Sequence, residues 1–87
     1  MGKKHSHDFV EDYHGLVGFG ADRETDEYSL IYYLQKFSDD ALITPLVKRM
    51  RDSEIQELFD LINRIMKRHL SEDEYHRLFL KDSGHHH

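Results

Sequence analysis

The chain has no cysteine, no tryptophan, a single proline (Pro45) and no long apolar run. Each shortage excludes something. Without cysteine there is no disulfide, no thiolate nucleophile and no Cys-ligated zinc or iron–sulfur centre. A membrane-spanning helix needs about 20 consecutive apolar residues, and no stretch approaches that length. Lys3-Lys4 leads into His5-Ser6-His7-Asp8, not into the apolar core of a signal peptide. The expected setting is the cytoplasm. Positive charge is also short, with 12 Lys and Arg against 17 Asp and Glu. So acidic a chain is a poor generic ligand for nucleic acid or an anionic membrane.

What is present is helical text, clearest over residues 53–81. Ile55, Leu58, Phe59, Ile62, Ile65, Met66 and His69 recur at steps of three and four, which puts them on one helical face. Leu61 widens that stripe, and Glu57, Asp60, Arg64, Lys67 and Arg68 lie opposite. Asp60 and Arg64, one turn apart, are expected to pair. Ser53 with Gln56 reads as a capping box that starts the helix. Ser71 with Glu74 reads as a second box, with Leu70 stapled onto Tyr75. The stripe centred on Ile62 is expected to be the keystone of the core.

Upstream, residues 22–37 predict the first main helix. Acids load its start and Lys36 its end. Leu30, Ile31, Leu34 and Phe37 form its expected core face, with Tyr28, Tyr32 and Tyr33 off it. A strand competes over 28–34, where β-formers are dense, but no second strand is in sight to pair with it. Ser38-Asp39-Asp40 supplies caps for a further helix bearing Leu42, Ile43, Leu46, Val47 and Met50. Pro45 predicts either a fresh helix starting there or one kinked helix. The expected organisation is an N-terminal arm over 1–20, a helical domain over 21–82, and a linker with tag remnant over 83–87. The fold class is all-α: a small bundle of about four helices, one split or kinked at Pro45, with the arm packed across it. In the arm, Phe9, Val10 and Tyr13 fit one helical turn. Gly15-Leu16-Val17-Gly18-Phe19-Gly20 reads as an ordered loop docked through its apolar side chains. It has neither the order nor the following Lys-Ser/Thr of a phosphate-binding loop.

Candidate chemistry is sparse. The His5, His7, Asp8 and His14 cluster, with Glu11 and Asp12 nearby, offers imidazole and carboxylate suited to Zn, Ni or Cu. Against this, a polar arm lacks the rigid frame that a metal site needs. His69 reads as a helix-terminal residue, and His76 lacks the Glu-x-x-His spacing of bundle metal sites. No serine sits in G-x-S-x-G, and three of the six read as caps. Neither catalysis nor a cofactor is expected. Lys48, Arg49, Arg51, Arg64, Lys67 and Arg68 offer a weak nucleic-acid alternative, diluted by Glu57 and Asp60. The favoured expectation is protein–protein interaction by self-association, as a homodimer through Tyr28, Tyr32, Tyr33 and Leu61. These rings and this leucine lie outside faces already satisfied by one neighbour. No motif in the chain resembles that of a known family.

Overall fold

The ambiguous run at 28–34 is helix. It lies inside α2 (Arg23–Phe37), which starts where Asp22 Oδ1 accepts the Thr25 N–H at 2.8 Å. The computed structural model describes residues 5–82. The tag reading of 83–87 lies outside the described residues. The architecture is all-α, with no strand among those residues. The chain divides between Arg49 and Met50 into two compact units.

In the first unit, a short α1 (Asp8–Asp12) precedes α2, and α3 (Asp40–Arg49) follows it. α3 is one helix with Pro45 inside it. It starts at Asp39, whose Oδ1 accepts the Ala41 N–H at 3.0 Å. Its carbonyl accepts from Ile43 at 2.8 Å.

The arm runs antiparallel along α2, and the pairing can be followed residue by residue. Asp39 Oδ2 accepts from the Ser6 N–H at 3.0 Å, and His7 Nε2 lies 2.9 Å from Ser38 Oγ. Gln35 Oε1 accepts from the Val10 N–H at 2.9 Å. Tyr13 meets the rings of Tyr28 and Tyr32 at 5.6 and 5.9 Å between centroids. Further along, Gly18 meets Ser29, and Asp26 Oδ1 accepts from the Gly20 N–H at 2.9 Å. Among the described residues, Val10 on the arm is the buried apolar residue and Ser29 on α2 the fully buried polar one.

Two expectations for this unit are overturned. The loop does not dock by its apolar side chains, since Leu16 is 67% and Phe19 60% exposed. It docks by its backbone: Ser29 Oγ accepts from the Gly18 N–H and donates to the Gly18 carbonyl, each at 2.9 Å. A buried hydroxyl must find partners, and the loop supplies both. Nor do Leu30, Ile31 and Leu34 form the packed face of α2, because all three are exposed. The arm takes the Tyr28, Ser29, Tyr32 and Gln35 side instead, where the hydrogen-bonding partners are.

The second unit holds α4 (Asp52–His69), α5 (Glu72–Glu74) and a π-helical segment, Tyr75–Leu80. α4 begins one residue before the expected Ser53 cap. Glu54 Oε1 reaches back to accept the Arg51 N–H at 2.9 Å, and an ionised acceptor there outcompetes the neutral Gln56. Gln56 instead donates to Asp60 Oδ1 at 2.9 Å, which gives Asp60 a partner other than the expected Arg64. The Ser71 and Glu74 box forms as the sequence predicts. Ser71 Oγ accepts from Glu74 N–H at 3.1 Å, and Glu74 Oε1 accepts from Ser71 N–H at 2.8 Å. The chain turns out of the π-helical segment at Lys81, in the left-handed region at φ 59°.

Within this unit the α4 stripe, expected as the keystone of the core, is not packed: Ile62 is 44%, Ile65 50% and Phe59 61% exposed. The segment after α4 is too short to lie along the whole stripe. Its own Leu78, Phe79 and Leu80 are exposed as well.

Candidate interaction surface

Amphipathic periodicity places apolar side chains on one side of α4, and nothing within this unit covers them. Ile55, Phe59, Ile62 and Ile65 line that side, each between two-fifths and two-thirds exposed, with Leu61 on its edge. Scattered exposed apolar residues are ordinary, whereas a contiguous row along one helix is a candidate contact surface. Near its C-terminal end the same unit forms an open hollow lined by Asn63, Met66, Leu70 and Tyr75, among others. Leu70 and Tyr75 both line this hollow. Tyr75 stacks on Phe79 with ring centroids 5.4 Å apart, so two aromatic rings share the segment with Leu78.

In the first unit, the four residues expected at the interface divide. Tyr28 and Tyr32 lie together under Tyr13, and Phe9 approaches Tyr28 at 6.1 Å. Tyr28 also donates its hydroxyl proton to Glu24 Oε2 at 3.2 Å. That hydrogen bond, with the carboxylate charge behind it, raises the phenol above its ordinary value. Lys36 Nζ lies 5.4 Å from the centre of the Tyr32 ring. Tyr33 is 62% exposed and bare, beside exposed Leu30 and Leu34. Leu61 lies on α4, in the second unit.

The N-terminal histidines are engaged individually. His5 Nδ1 sits 2.6 Å from Glu11 Oε2, and its Nε2 faces Lys36 Nζ at 3.0 Å. A lysine ammonium donates and does not accept, so this arrangement fixes Nε2 as the acceptor and Nδ1–H as the donor to Glu11. His7 meets Ser38, and His14 is exposed. No three ligand-type side chains among the described residues converge on a point that could hold a metal ion. His76 stands between two carboxylates, Glu72 and Asp82, each 3.6 Å away.

The basic side chains Arg64, Lys67 and Arg68 are exposed on α4. Arg51 lies 3.8 Å from Glu54. Sequence reasoning missed Ser29, Gln35 and Asp39 as the groups that hold the arm. The available signal was a small polar residue, Ser29, inside an otherwise aromatic and aliphatic stretch.

Comparison of the chain with family models, curated proteins and solved structures returns no match in any of the three.

Proposed function

We propose that this chain is a non-enzymatic interaction protein that buries exposed helical faces against another protein, in the first place a second copy of itself. The observation that carries the reading is the half-exposed apolar stripe of α4. Water contact along such a row is unfavourable by roughly 25 cal/mol per Å² of apolar surface. A two-fold contact relieves it with a single self-matching patch. Tyr33 on the first unit and Leu61 on the second are exposed for this role; Tyr28 is exposed too but also meets the arm's rings, and Tyr32 is half-buried against them. The proposal keeps the cytoplasm as its setting. Among the described residues no helix is long and apolar enough to cross a membrane.

Sedimentation of the full chain tests the reading. A dimer mass is expected at micromolar concentration. Ile62→Asp or Leu61→Asp should shift the chain to monomer while the helical circular dichroism persists, because an unpaired carboxylate resists burial. A single-chain mass across the accessible concentration range would overturn self-association.

A further inference from the structure

We infer that the α4 stripe is covered by the α4 stripe of a second copy, the two helices running antiparallel about a two-fold axis at Ile62. The inference rests on the self-association reading above and adds its geometry.

The stripe is a palindrome of positions. Phe59 and Ile65 lie three residues either side of Ile62, Leu58 and Met66 four, and Ile55 and His69 seven. An antiparallel two-fold contact sets each position against the one equidistant from the centre. Ile62 then meets itself, and the Leu58–Phe59 layer meets the Ile65–Met66 layer. Large residues pack against medium ones, which suits interdigitation. A parallel contact would stack Phe59 on Phe59 and His69 on His69.

The edges of the stripe distinguish the two directions independently. Glu54, Leu61 and Arg68 are a heptad apart and share one edge, about 80–120° from the stripe centre at 3.6 residues per turn. Gln56, Asn63 and Leu70 share the other. In an antiparallel pair like edges face each other. Glu54 then faces Arg68 of the second copy, twice by symmetry, and Leu61 faces Leu61. In a parallel pair unlike edges meet, which sets Leu61 against Asn63 and leaves Glu54 with no cation. The groups are placed for the antiparallel choice. Arg68 is exposed and makes no hydrogen bond or ion pair among the described residues. Glu54 spends Oε1 on the Arg51 N–H, while its Oε2 has the Arg51 guanidinium only at 3.8 Å. On the other edge, Asn63 donates to its own helix at the Phe59 carbonyl, 2.8 Å away.

Size is compatible. A helix of 18 residues is about 27 Å long at 1.5 Å per residue. A standard interface hides roughly 800 Å² per partner.

The chain has no cysteine, so single introduced thiols report the geometry without background. Leu61→Cys, Glu54→Cys and Arg68→Cys variants of the full chain are oxidised with oxidised glutathione and run on non-reducing gels. Leu61→Cys should link to itself. Glu54→Cys and Arg68→Cys should each stay single alone and link when mixed. Self-linking of both Glu54→Cys and Arg68→Cys would overturn the antiparallel arrangement and leave self-association standing. A single-chain mass for the unaltered protein would overturn both. As a second measurement, Arg68→Glu should raise the dissociation constant roughly three- to tenfold, as two lost rim pairs do. Glu54→Arg alone loses both the helix cap and the pair, and adding Arg68→Glu to it should recover the pair's share of the affinity. A double variant that associates no more tightly than Glu54→Arg alone would count against the pairing.

Discussion

Ser29 decides how the arm is held. Its hydroxyl is fully buried and both gives and receives a hydrogen bond at Gly18. Ser29→Ala should destabilise the chain by about 1 kcal/mol or somewhat more, because the two Gly18 groups lose their partner. Arg64→Ala, on the exposed side of α4, should change stability by less than about 0.5 kcal/mol. Urea unfolding of the two variants checks the contrast, and equal midpoints would show that the Ser29 latch contributes nothing. Two carboxylates contribute to the acid side of the stability curve. Asp39 is held below its ordinary value chiefly by the Ala41 N–H and then by Ser6. Glu74 is held below its own by the Ser71 backbone and hydroxyl. A depressed folded-state value means that stabilisation is complete above the unfolded carboxyl range, near 4. It is lost as pH falls through the depressed value. Carboxyl-carbon NMR titration should therefore place the Asp39 midpoint below the ordinary aspartate value and the Glu74 midpoint below the ordinary glutamate value. Loss of the Ser6 and Ala41 amide shifts should track Asp39.

The elements show what periodicity can and cannot reveal. α2 was legible from its acid-loaded start and α4 from its apolar spacing, although the α4 cap falls at Arg51 and not at the expected Ser53. Pro45 sits mid-helix because α3 has its cap at Asp39, six residues earlier, and a helix already started tolerates the loss of one N–H. What periodicity could not show was which surface a face packs against. A stripe that will meet a partner chain reads the same as one that meets a neighbour in its own chain. The Leu30, Ile31 and Leu34 face and the Ile62 face were both legible as apolar, and both are exposed. The arm's path was not legible because it is set by single polar side chains, Ser29, Gln35 and Asp39, which carry no repeat. For α4 the consequence is measurable. Ile62→Ala should cost under about 1 kcal/mol in the dilute chain, where the site is half wet. At concentrations where copies associate, the loss should rise to roughly 2 kcal/mol or more, as for a buried position. Thermal unfolding over a concentration series checks this, and a difference independent of concentration would place Ile62 in an internal core after all.

At the scale of the whole molecule, the first unit holds most of the specific side-chain contacts, while exposed apolar residues lie in both units. Two glycines serve the first unit's loop. A Cβ at Gly15 would sit 2.5 Å from the Tyr13 hydroxyl, and Gly20 adopts φ +99°. The loop they permit joins the arm to the helix it binds, and Leu16 and Phe19 on it stand open to solvent. The arm is therefore a tethered ligand. While the loop is whole, α2 meets the arm at an effective concentration set by a short linker, of the order of millimolar. One proteolytic cut at the exposed Leu16–Phe19 stretch would turn the same contacts into a bimolecular encounter at whatever concentration the fragments have. The segment ahead of the cut would be free to dissociate, uncovering the Tyr32 and Gln35 side of α2.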